Sequence, residues 1–206
     1  MRRSSASLLV ALVVTLPRLV LAQGQGGAPM RADSARYRVV AAAVLRGDTT
    51  ADITALRLLW AKVGPPKNAP NPAESFRRAR AARDVAGRRA IMDTMLAAYV
   101  GHVRAHIDVE HLYREVKDTA RADREAAMVR AFIASIGQTD GQTPESAMLV
   151  NSIDEEYAFL AARGVSRITQ TLLAAPTSRG SERFDLLGGV ETATGRERKF
   201  YFRLNW

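Results

Sequence analysis

Up to residue 136 the apolar positions recur with a helical period, and beyond residue 164 they alternate as in strands. Tyr37, Val40, Ala41, Val44 and Leu45 form one i, i+3, i+4, i+7, i+8 stripe behind Asp33, a residue type suited to N-capping, and Gly47 ends it. Ile53, Leu56 and Trp60 mark a shorter helix, and residues 64–72, with four prolines, continue none. The pattern over 73–136 predicts three or four helices. They are anchored by Phe76 and Ala79, by Ile91, Met95, Ala98 and Tyr99, by His106, Val109, Tyr113 and Val116, and by Val129, Phe132, Ile133 and Ile136. The breaks at Gly87, Gly101 and 118–121 are short, which makes sequential helices antiparallel neighbours.

Residues 135–164 separate the two regimes. Gly137, Asp140 and Gly141 break the last helix, and Asp140-Gly141 reads as a plain turn, since the pattern of a calcium loop is absent. Residues 147–150, Ala-Met-Leu-Val, suit a strand buried on both faces. Ser152 and Glu155 have capping-box spacing, Asp154 and Glu156 add negative charge to the first helical turn, and Gly164 ends the helix. Strands follow at 167–174, 183–187 and 199–204, with the first strand, the capped helix and the next strand forming a right-handed βαβ crossover. The last two strands extend the sheet as a hairpin around Gly188-Gly189 and Gly195. The expected fold is α+β: a helical half over 33–136 followed by a small four-stranded mixed sheet with one crossover helix over 145–206, in a single domain.

The Ala-rich, Tyr-bearing hairpins of the first half resemble tetratricopeptide repeats in architecture, without a clean repeat period. The second half carries a sharper likeness. Asp140-Gly141, the apolar run 147–150, and Glu155-Glu156-Tyr157 with Leu160 resemble the motif of a bacterial family catalogued as "domain of unknown function 4919". Thr139 stands where that motif has its first glycine. The likeness extends to Ala105-His106, Gln170, Asp185 and Phe200-Tyr201-Phe202, over most of 33–206. The family has no assigned activity, so the resemblance implies no catalytic residues.

The N-terminus changes the compartment. Arg2-Arg3, a largely apolar run from Ala6 to Leu16, and Val20-Leu21-Ala22 have the layout of a secretory signal peptide over residues 1–22. The span is too short and wrongly flanked for a membrane anchor. The motif around the paired arginines is incomplete for twin-arginine export, which favours the general secretory route. Cleavage is expected after Ala22, with the Gly/Gln-rich stretch 23–32 as a disordered linker and the product periplasmic or extracellular. Loss of the leader removes Arg2, Arg3 and Arg18 and no acid, so the formal charge falls from +9 to +6. The chain has no cysteine. Disulfides, thiol chemistry and a lipid-bearing cysteine are thereby excluded.

Candidate chemistry is sparse. His102, His106 and Glu110 lie at i, i+4, i+8, a spacing at which two imidazoles and a carboxylate can share zinc, although His106 also falls on the apolar stripe of a core histidine. Arg77, Arg78 and Arg80, with Arg83, Arg88 and Arg89, form a basic helical surface suited to an anionic partner; no aromatics interleave it, and an exported chain does not meet nucleic acid. Asp140 and Glu156 are the acidic surface candidates. No nucleophile elbow or phosphate-binding glycine loop is present, and no cofactor is implied. Two functions stay open: a non-catalytic module binding a protein or peptide of the cell envelope, and an envelope hydrolase using carboxylates or His106 in a cleft between the halves.

Overall fold

The computed structural model describes residues 27–48 and 50–205, so the expected leader lies outside the described residues. Six helices come first: α1 (Gly27–Leu45), α2 (Ile53–Val63), α3 (Pro72–Ala81), α4 (Val85–Tyr99), α5 (Val103–Glu115) and α6 (Thr119–Ile136). Four have side-chain caps. Asp52, Asn71, Asp84 and Asp118 each accept a hydrogen bond from the backbone N–H three residues on, and Pro72 occupies the first turn of α3, where no donor is needed. Residues 27–32, expected as linker, are the start of α1. Asp33 lies within that helix and pairs with Lys62 of α2 at 3.2 Å.

Consecutive helices pack as three hairpins, α1 with α2, α3 with α4 and α5 with α6. Val44, Leu56, Val103, Met128 and Phe132 belong to one apolar cluster, and Met92, Met95, Leu112 and Tyr113 to a second. Gly87 breaks no helix. It lies in the first turn of α4, and the break falls at 82–84 because Ala82 is already extended and Asp84 starts the next cap. Gly101 is a true break and a close approach: a Cβ there would lie 2.3 Å from Trp60 Cβ.

The second half is β1 (Met148–Val150), α7 (Ile153–Ala162), β2 (Val165–Thr177), β3 (Gly180–Glu191) and β4 (Glu197–Leu204), with strand order β1-β4-β3-β2. The architecture is α+β, as the pattern predicted. β1 runs parallel to β4, and the other neighbours are antiparallel. The connection through α7 therefore spans the whole sheet: β1 and β2 are its two edges, and the β3–β4 hairpin fills the space between them. The expected turn at Gly188-Gly189 is instead inside β3, opposite a bulge in β2 between Ser166 and Thr169. Gly189 is required there because a Cβ would meet Ser166 O at 2.6 Å. The hairpin turn lies farther on, at 192–196, with Gly195 at φ +69°.

Phe159 and Leu160 of α7 pack with Met148, Val150, Leu187, Phe200 and Phe202 of the sheet. Phe159 meets Phe200 and Phe202 edge-on, at centroid distances of 5.6 and 5.9 Å. The other side of α7 packs on α5 and α6, so this one helix lies between the two halves. No described helix is long and apolar enough to cross a membrane. Gly101→Ala should destabilise the fold by about 1–3 kcal/mol, since the obstructing atoms are the root of the Trp60 side chain and cannot swing away. A urea unfolding curve measures this; an unchanged midpoint would refute the tight α2–Gly101 contact.

Candidate functional site

The junction beneath the N-terminus of α7 holds a buried ion pair that spans the two halves. Arg57 of α2 is 1% exposed and Glu155 of α7 is 1% exposed. Arg57 Nη1 donates to Glu155 Oε2 at 2.6 Å and to the Leu149 carbonyl of β1 at 2.9 Å. Its Nε donates to Ser135 Oγ of α6 at 3.0 Å. Asn151 completes the cluster, donating its backbone N–H to Glu155 Oε2 at 2.8 Å and its amide to the Arg57 carbonyl at 3.0 Å. Burial pushes the Glu155 carboxyl up, and the Arg57 and Asn151 donors pull against that push. The capping box is thus half realised. Ser152 Oγ accepts from the Glu155 N–H at 3.4 Å, but the Glu155 carboxylate turns to Asn151 and Arg57 instead of returning to Ser152.

Glu156 is fully buried as well, and no donor reaches either of its oxygens. It faces Asp185 of β3, itself buried and held by Gln170 Nε2 of β2 at 3.1 Å. Asp185 pairs with Phe202 in the ladder and so shares the sheet face that α7 covers. Burial, then the neighbouring Asp185 carboxyl and Glu155, raise the Glu156 pKa to about 8. A proton on Glu156 is what allows the two acceptors to lie side by side. Glu156 is therefore an interior acid and not the surface candidate its position suggested.

The two histidines are separated by their own contacts. His106 is 2% exposed, with Nδ1 2.7 Å from Glu125 Oε2 of α6, Nε2 2.9 Å from the Val100 carbonyl, and the ring against Phe132. Burial alone would raise the Glu125 carboxyl; His106 and Arg124 outweigh it and hold the group below its usual range. His102 occupies the N-cap position of α5 without a side-chain capping bond, sets its ring tilted against Trp60 at a centroid distance of 4.9 Å and lies 3.6 Å from Asp154. Burial depresses its pKa. Glu110 is bound to Arg114. The zinc triad does not assemble: both ring nitrogens of His106 are occupied, and no group of metal-binding side chains occurs among the described residues.

Arg77 and Arg78 are exposed on α3 with no acidic partner among the described residues, whereas Arg80 lies over the Phe76 ring and pairs with Glu115. Arg89 pairs with Asp118, and Arg88 donates to the Ala82 carbonyl. The basic surface is therefore reduced to Arg77, Arg78 and Arg83. Asp140 accepts from the Gln142 N–H at 3.0 Å and from Ser146 Oγ at 2.6 Å, which makes the turn and lowers its pKa. Among the described residues the surface cavities include five of about 180 to 360 Å³. Asp140 lines one of them. None of the five is lined by His102, His106, Asp154, Glu155, Glu156 or Asp185.

Comparison with protein-family models, curated proteins and solved structures finds no match to the chain.

Arg57, Ser135, Asn151 and Glu125 were not singled out in the sequence. Their long-range partners lie 19 to 98 residues away, and no local spacing signals such pairs. The buried pair makes a specific demand. Arg57→Met alone should cost about 3–5 kcal/mol, because Glu155 is left buried and unpaired, while Arg57→Met with Glu155→Leu should recover much of the loss. Denaturant titration of the three proteins tests this, and a double variant as unstable as the single would refute it.

Glu156 makes a second demand. Its carboxyl stays protonated in the fold up to about pH 8 but ionises near 4.5 when unfolded. The native state then binds more protons across that window, so this group's contribution is full below about pH 4.5 and is lost as pH rises through about 8. Glu156→Gln should flatten the fall in stability over that range. Melting temperatures taken at intervals across the window measure it, and an equally steep fall in the variant would contradict the assignment.

Proposed function

We propose that this chain is an exported, non-catalytic module that binds a protein or peptide of the cell envelope. The observation that carries this reading is the use of the buried acids and imidazole. Glu155 is closed by Arg57 and Asn151, His106 by Glu125 and Val100, and Glu156 lies against Asp185, with none of them lining any of the five cavities described above. Catalytic groups need a place for substrate beside them. Glu155 has a use in holding helices to sheet, and His106 in holding α5 to α6. The surface that remains for a partner consists of helical hairpins with open grooves. One groove of about 360 Å³ lies between α1 and the proline loop, lined by Tyr37, Val63, Pro65 and Pro66. The resemblance to an uncharacterised exported bacterial family fits this reading, as does the leader-like N-terminus.

The second reading, an envelope hydrolase, draws on the Glu156–Asp185 pair, since a carboxyl held protonated at neutral pH is suited to general-acid work. Both groups are interior, which sets this reading behind the first.

Crosslinking the tagged protein in its own cell envelope, followed by identification of what co-purifies, tests the proposal. A reproducible protein or peptide partner is the expected outcome. A clean preparation that hydrolyses envelope polymers, with activity lost in Glu156→Gln, would overturn it.

A further inference from the structure

A cavity of about 300 Å³ opens where β1 stops short of the N-terminal end of β4, between the 139–142 loop and the end of α7. Its floor is aromatic: Phe159 is 2% exposed and Phe200 8%, set edge-to-face, with Val165 beside them. Arg163 stands on the rim with its guanidinium over the Phe159 ring, 5.1 Å from the centroid. Gly137 leaves room for the floor ring, since a Cβ there would lie 3.0 Å from Phe159 Cε2.

The charges on this rim are unequally satisfied. Asp140 is held by Gln142 and Ser146. Glu191 accepts from Thr194 Oγ1 at 2.6 Å and has Arg198 at 3.6 Å. Arg163 has no carboxylate within ion-pair reach among the described residues and donates no side-chain hydrogen bond there. Its stacked position pre-orients a planar fork of donors at the mouth of a pit whose floor is aromatic and whose walls, with Gln142 and Arg198, are polar. Such a fork matches a carboxylate, and the pit matches one aliphatic side chain; the volume is at the small end for a ligand site.

We propose that this cavity seats an apolar amino-acid residue by its free α-carboxylate, with Arg163 gripping the carboxylate and Phe159 and Phe200 receiving the side chain. The carboxylate belongs either to the C-terminus of a peptide or to a single acylated amino acid. The first source rests on the peptide-binding function proposed above, and the site itself does not.

Calorimetric or NMR titration of the full chain with N-acetyl-leucine, N-acetyl-leucinamide and acetyl-Ala-Ala-Leu tests the assignment. Saturable binding of the acids is expected, with the neutral amide weaker by about tenfold or more. Arg163→Gln should remove that preference while leaving the melting temperature unchanged, because the residue is exposed. Tighter binding of the tripeptide would assign the site to peptide termini. Equal binding of both acids would keep the carboxylate site and count against the peptide function. Equal affinity for acid and amide, no binding of any of the three, or an unaltered preference in Arg163→Gln would overturn the proposal.

Discussion

The guanidinium of Arg57 is the point through which the two halves of this molecule are joined. One buried side chain reaches Ser135 at the end of α6, the carbonyl of Leu149 in β1, and the carboxylate of Glu155 in α7. Its own backbone carbonyl receives Asn151. Three elements, α6, β1 and α7, are fixed relative to α2 by one residue. A planar group with five donors is suited to this, and lysine would satisfy fewer of the acceptors. The desolvation of two charges is a large penalty, offset only because each is bonded several times over. The cluster therefore specifies how the halves meet more than it adds to net stability.

Much of the architecture is legible in the sequence because it is set by local rules. The helical stripes place Val44, Leu56, Val109 and Phe132 in the core, and all are buried. The alternation in 199–204 places Phe200 and Phe202 against α7. The boundaries fail where a residue has two uses. Gly87 reads as a breaker but serves as the N–H that Asp84 caps. Gly188-Gly189 reads as a turn but is the part of β3 that lets the bulge of β2 approach. The strand order is not local at all: β1 joins β4 across a separation of more than fifty residues, and only the shared apolar face links them in sequence.

The candidate chemistry divides along the same line. The acidic run 154–156 is visible as a cap, yet its three members have three fates. Asp154 faces His102 at the surface, Glu155 enters the ion-pair cluster, and Glu156 is driven inside against Asp185. Helical rotation alone separates them, and what each meets depends on α2, α5 and β3, which the local pattern does not contain. His106 is the converse case: its place on an apolar stripe signals burial, and Glu125 supplies the partner that makes burial tolerable.

Native-state hydrogen exchange on the wild type and on Arg57→Met is the most direct measurement of the joining role. The wild type should lose protection in α2, α6 and β3–β4 together as denaturant is raised, as one cooperative unit. In Arg57→Met the sheet and the helical hairpins should open at separate denaturant concentrations, because the link between them is gone while each apolar cluster is intact. A variant that still loses protection everywhere at once would contradict the account, and would mean that packing around α7 joins the halves without the ion pair.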